Sequence, residues 1–170
     1  MHEKITIERL AYGDAGIGRA ASGKTVFVNG TCPGDEAVVE ITADKGNYLE
    51  GELAELVSPS PFRVQPVCPL ADQCGGCGWQ HIAYEHQLEA KRDNVVSQLA
   101  RIGGFGTERA ERLVEACVGS KRTMGYRNKI EFSCANDPVK GFQMGFNRKG
   151  SNEIITADTC PLAHKAIEKT

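Results

Sequence analysis

The sequence predicts a mainly β protein with some α: an OB-like β-barrel over residues 1–60, then an α+β region made of one helix and an antiparallel meander. Three observations carry this. The runs ITIERLAYG, GIGRA, KTVFVNG, EAVVEITAD and YLEGELAELV are short, strand-like and separated by Gly, Asp and Asn turns, a spacing that favours a small barrel. A helical period first appears at Tyr84. A period of two returns at Tyr126.

Taken in order, the five runs supply the barrel strands, and the GDAGIG at residues 13–18 joins two of them. Because it opens no helix, it is better explained as a barrel turn than as a phosphate loop. SPSPFRVQP, residues 58–66, has the composition of an extended linker. The helix follows, with Tyr84, Leu88, Val95, Leu99 and Ile102 on one apolar face and Glu85, Glu89, Arg92 and Asp93 off it; Gly103 and Gly104 supply its stop. In YRNKIEFSC, Tyr126, Ile130, Phe132 and Cys134 fall on one face of a strand, and Arg127, Lys129, Glu131 and Ser133 on the other. ANDP, residues 135–138, predicts the turn, and Phe142, Met144 and Phe146 alternate on the returning strand. EIIT predicts a third strand, and PLAHKAIEKT the start of a helix. The meander's apolar face has nothing in the sequence to cover it.

At 170 residues the chain can bury a core without a metal or disulfide. A net charge of -2 gives no global nucleic-acid signature, so any such surface must be local. No stretch is apolar for eighteen residues, and the first ten have neither signal-peptide nor transit-peptide character; a cytoplasmic protein is expected. In that compartment thiols stay reduced, and seven cysteines, three of them in CPLADQCGGC, point to metal or cluster binding.

Cys68, Cys74 and Cys77 are read as three ligands, and Cys160, in a second CPLA, as the fourth. A polynuclear cluster needs several thiolates converging on a small volume, and Gly75 and Gly76 let the backbone curl around it with N–H groups free to point at sulfur. Zinc is the competing occupant, although two C-x2-C knuckles are usual there and only one is present. His81 is a lesser candidate for a mixed zinc site. Cys32, Cys117 and Cys134 are expected to be structural small hydrophobes, and Trp79 to shield the cluster or fill core.

With YGDAGIGRA, GKTVFVNG, PGDEAVVEIT, SPSPFRVQPVCPLADQCGGCGWQH, YEHQLEAKR, YRNKIEF and DTCPL on the page, the chain resembles the bacterial 5-methyluridine RNA methyltransferases that carry an N-terminal TRAM domain and a [4Fe-4S] cluster. The resemblance implies a TRAM domain at 1–60, an iron-sulfur motif and helix at 61–104, and part of a central RNA-binding domain at 105–170. It implies the same four cluster ligands, Cys68, Cys74, Cys77 and Cys160, and the branch that methylates uridine in 23S rRNA from S-adenosylmethionine. The family's catalytic cysteine, general base and S-adenosylmethionine loop match no position here, so the chain alone is not expected to methylate.

Charge locates the expected RNA contact. Residues 1–60 carry five basic and ten acidic side chains, net -5, whereas residues 119–150 carry seven and two, net +5. Arg127, Lys129, Arg148 and Lys149, with Phe146 for stacking, are the candidate contacts to ribosomal RNA. A monomer is expected. The alternative function is a stand-alone RNA-binding module held together by structural zinc or a cluster.

Overall fold

The computed structural model describes residues 1–167. They form two compact units, one of residues 1–64 and 81–119, the other of residues 65–80 and 120–167.

The first unit is built on a closed barrel of β1 (His2–Leu10), β2 (Ala15–Arg19), β3 (Thr25–Asn29), β4 (Glu36–Asp44) and β5 (Tyr48–Ser58). Its strand order is β1-β2-β3-β5-β4, antiparallel except where β3 runs parallel to β5. Alternation in each strand sends Ile5, Ile7, Val26, Val28, Val39 and Leu49 into one core. Each such side chain contributes about 1.5–3 kcal/mol of burial. The GDAGIG run is a turn only at Gly13 and Asp14, while residues 15–18 already belong to β2; it opens no helix, as expected. Its two later glycines are required by close packing: a Cβ on Gly18 would collide with the Ile5 side chain, and one on Gly16 with Thr31. Gly18→Ala is therefore expected to destabilise the barrel by about 1–3 kcal/mol in denaturant unfolding.

Residues 58–64 are not a free linker. Asp35, fully buried, accepts N–H bonds from Cys32 (2.6 Å) and Ser60 (2.9 Å) and a bidentate pair from Arg63 (2.8 and 2.7 Å). Arg63 also donates to the Gly30 carbonyl at 2.9 Å. Composition suggested an extended spacer because nothing local shows that a charge twenty-eight residues earlier waits for Arg63.

Helix α1 (Tyr84–Arg101) and α2 (Thr107–Leu113) complete this unit. The stop falls where the glycines predicted, with Gly104 at φ 69°. The apolar face holds only in part: Tyr84, Leu88 and Leu99 are half-buried, but Val95 and Ile102 are exposed and Val96 is the buried residue. Toward α2, α1 presents Arg92, which donates to the carbonyls of Val114 and Glu111; toward the end of β1 it presents Asn94, which donates to that of Ala11. Carbonyl partners leave no hydrophobic period in the sequence.

In the second unit β6 (Ser133–Asp137), β7 (Gly141–Asn147) and β8 (Ile154–Ile155) form the antiparallel meander in that order. Four expectations are corrected here. Strand β6 begins only at Ser133, because the preceding segment has a single bridge, from Arg127 to Ala163, in place of a partner ladder. The turn lies beyond Asp137, whose carboxylate accepts the N–H groups of Val139 and Lys140, so most of ANDP is strand. Residues 161–167 form turns rather than a helix, and the remainder of that expected helix lies outside the described residues. The apolar face is open as anticipated: Phe142 and Met144 are exposed, and so is Cys134, which pairs with Met144 and is not the buried small hydrophobe expected.

Candidate functional site

The cysteine run folds as a tight loop. Leu70 accepts N–H bonds from Gln73 and Cys74, Cys68 accepts one from Ala71, and the Gly76 N–H lies 3.4 Å from the Cys74 sulfur. The turn after β7 holds this loop in place. Gly75 donates to the Asn147 carbonyl at 2.9 Å, Lys149 Nζ to the Ala71 carbonyl at 2.8 Å, and Arg148 to the Gln73 side chain at 3.1 Å. At the other end, Gly125 donates to the Pro161 carbonyl and Ala163 to that of Cys160, which fixes the second CPLA.

Cys68, Cys74, Cys77 and Cys160 consequently line one cavity of about 40 Å³, with Leu70, Gln80, Arg127, Phe146 and Leu162 among its other walls. All four are half-buried, and all seven cysteines are free thiols. Burial pushes the Cys77 thiol up; the Gln80 side chain and the Arg127 charge oppose that, while Cys74 and Cys160 add to it. Among the described residues, no three of His, Cys, Asp and Glu are arranged to hold a metal ion. His81 lies in the other unit, its Nε2 3.2 Å from the Thr31 carbonyl oxygen. Trp79 is half-buried, Cys117 likewise, and Cys32 is fully buried in the barrel unit.

Arg127 faces two spaces. Besides the cysteine cavity it lines an open groove of about 830 Å³ with Lys129, Phe132 and Phe146, the two aromatic rings 5.0 Å apart. Lys129 is exposed and pairs with Glu131 at 2.6 Å, a contact worth little in water. Arg148 and Lys149 are committed differently: Arg148 pairs with Glu153 at 2.6 Å, and both side chains hold the cysteine loop. Net charge alone could not separate the two pairs, because carbonyl and amide partners carry no charge. If RNA occupies this groove, paired Arg127→Ala and Lys129→Ala replacements are expected to reduce the salt slope of its binding by about 0.7 per lost phosphate contact. An unchanged slope would remove both from the interface.

Gln80 and Arg127, as neighbours of the cysteines, were not evident from the sequence spacing. Gln80 also accepts the Cys68 N–H at 3.1 Å, a bond spanning twelve residues that no local motif announces.

Residues 3–54 match the TRAM domain family. A protein of Nostoc sp. named an uncharacterized RNA methyltransferase is 40% identical over 159 residues, covering 94% of this chain and 34% of that protein. One from Chlorobaculum tepidum, also named an uncharacterized RNA methyltransferase, is 36% identical over 98% of this chain and 37% of its own length. Among solved structures, the Pyrococcus abyssi tRNA (uracil-54, C5)-methyltransferase, in complex with S-adenosyl-L-homocysteine, is similar at a TM-score of 0.60 and 28% identity, over 97% of this chain and 34% of that one. Residues 3–54 are thus similar to TRAM domains, nearly the whole chain is similar to proteins named RNA methyltransferases, and it spans about a third of the length of those relatives.

Proposed function

We propose that the chain is the RNA-gripping, iron-sulfur-bearing part of an S-adenosylmethionine-dependent uridine-5-methyltransferase acting on 23S rRNA. One observation carries the cofactor: four thiols from segments up to ninety-two residues apart line a single cavity. The donor set fits a [4Fe-4S] cluster. Four cysteines supply the thiolates, an N–H approaches one sulfur, Arg127 offsets accumulated negative charge, and Leu70, Phe146 and Leu162 exclude water. A single zinc ion needs every sulfur about 2.3 Å away, a tighter convergence than shared lining of a cavity requires. The cluster would serve as a cross-link between the loop and the second CPLA. Its ligands would be Cys68, Cys74, Cys77 and Cys160, while Gln80, Arg148 and Lys149 hold the ligand-bearing backbone in position.

RNA grip is assigned to Arg127 and Lys129 on the open groove, with Phe146 as the stacking ring. The methyl transfer itself is assigned to residues outside this chain, the methyl group coming from S-adenosylmethionine. In domain terms we assign a TRAM barrel at 1–60, a cluster-bearing segment at 61–104 and part of an RNA-binding domain at 105–170. A tRNA substrate is a second reading, favoured by the activity that the Pyrococcus abyssi neighbour's title states.

Iron analysis and a visible spectrum of protein purified without oxygen test the cofactor. About four irons per chain with broad sulfur-to-iron absorption is expected. One zinc and no colour would replace it with a structural zinc site. Competition between a 23S rRNA fragment and tRNA for the same protein separates the two substrate readings.

A further inference from the structure

The barrel is acidic in sum, yet its charges are sorted. On the outer faces of β1, β2 and β3 the register sets Arg9 beside Ile17 and Ile17 beside Phe27; one step along, Arg19 lies beside Thr25 and Thr25 beside Tyr48. Arg101, at the end of α1, joins them at a cavity of about 280 Å³. Three arginines therefore share this cavity with one carboxylate, Glu8, which stands 3.9 Å from Arg19. Phe27 and Tyr48 meet edge to face, centroids 5.3 Å apart, and Tyr48 is 37% exposed. Ile17 is buried without belonging to the barrel core, so it floors the patch from outside.

We propose that Arg9, Arg19 and Arg101, with Tyr48 and Phe27, form a binding site for single-stranded RNA on the barrel unit. It rests on the RNA-binding reading above and adds a contact surface separate from Arg127 and Lys129. Guanidiniums brought together with one counter-charge are a site for phosphate, and burial and the neighbouring Arg101 charge already lower the pKa of Arg9. The aromatic pair decides between ligands. An acidic peptide would satisfy the arginines and leave Tyr48 unused, whereas an unpaired base stacks on an exposed ring in any sequence context. A second cavity, of about 410 Å³, shares Glu8, Arg9 and Arg101 with the first. That second cavity is lined by Glu89, Asp93 and Glu111 as well, so the phosphate site is confined to the smaller one, where Glu8 is the single carboxylate.

The test is titration of the 170-residue chain with a short single-stranded oligouridine at several salt concentrations. Arg101→Gln is expected to weaken binding severalfold and lower the salt slope by about 0.7. Tyr48→Ala is expected to weaken it about fivefold or more with the slope unchanged, and Tyr48→Phe to retain it. Each variant is compared at equal thermal midpoint, so loss of folding is not read as loss of contact. Binding retained by Arg101→Gln and Tyr48→Ala overturns the patch and leaves the RNA reading standing on Arg127 and Lys129. No binding by the unaltered chain overturns the RNA reading and the patch with it.

Discussion

Asp35→Asn is expected to destabilise the barrel unit by about 3–5 kcal/mol in denaturant unfolding, because it leaves the Arg63 guanidinium without the charge it was desolvated against. Asparagine keeps the shape of the side chain but donates where Asp35 accepts, and since each carboxylate oxygen accepts one backbone and one Arg63 N–H, two bonds must be lost, one from Arg63 and one from Cys32 or Ser60. Arg63→Ala should cost a comparable amount for the complementary reason, a buried carboxylate left with two backbone donors alone. The double replacement should cost less than the two single effects added together, since it removes both charges. Additive losses would show that the pair is not coupled.

The same node gives the barrel an acid sensitivity with a definite sign. Burial pushes the Asp35 carboxyl up, but the Arg63 bonds and the N–H groups of Ser60 and Cys32 outweigh it, leaving the carboxyl below the usual carboxylate range. A group with a depressed folded pKa binds fewer protons folded than unfolded. Its contribution is therefore complete above the ordinary carboxylate pKa and disappears as pH falls through the lower folded value. The unaltered protein should lose stability on acidification more steeply than Asp35→Asn, and parallel pH profiles would rule Asp35 out as the cause.

Cys160→Ser is expected to have the second largest effect. If the four cysteines share a cluster, iron content falls from about four per chain to a small fraction. The second unit then loses a cross-link between Cys77 and Cys160 across about forty residues of its own, residues 81–119 belonging to the first unit, on the order of 4 kcal/mol of chain entropy. The barrel midpoint should stay where it was. Cys134→Ser is the control, since Cys134 is exposed on β6 and is not among the residues lining the four-cysteine cavity. Full iron in Cys160→Ser would mean that the second CPLA does not supply a ligand.

Much of the candidate site was legible because its residues are chemically rare and closely spaced. Three cysteines in ten positions, two glycines between the last two, and a repeated CPLA announce convergence before any fold is known. What was not legible is what holds them. Gln80, Arg127, Arg148 and Lys149 reach the loop through carbonyl, amide and long-range contacts, and a basic residue that caps a carbonyl looks the same in sequence as one that waits for a phosphate. Arg148 and Lys149 illustrate this, since the same +5 stretch contains them and the freer Arg127 and Lys129.

By itself the sequence determined the five barrel strands, the end of α1 at its glycines, the alternation of Phe142, Met144 and Phe146, and the cysteine set, all of them local patterns set by backbone period or residue chemistry. Tertiary structure alone decided that Asp35 seizes Arg63, that Val96 rather than Val95 is buried, that residues before Ser133 lack a strand partner, and that Arg9, Arg19 and Arg101 meet on an acidic barrel. These depend on strand register and on which face another element covers, and neither quantity is written in any short stretch of chain.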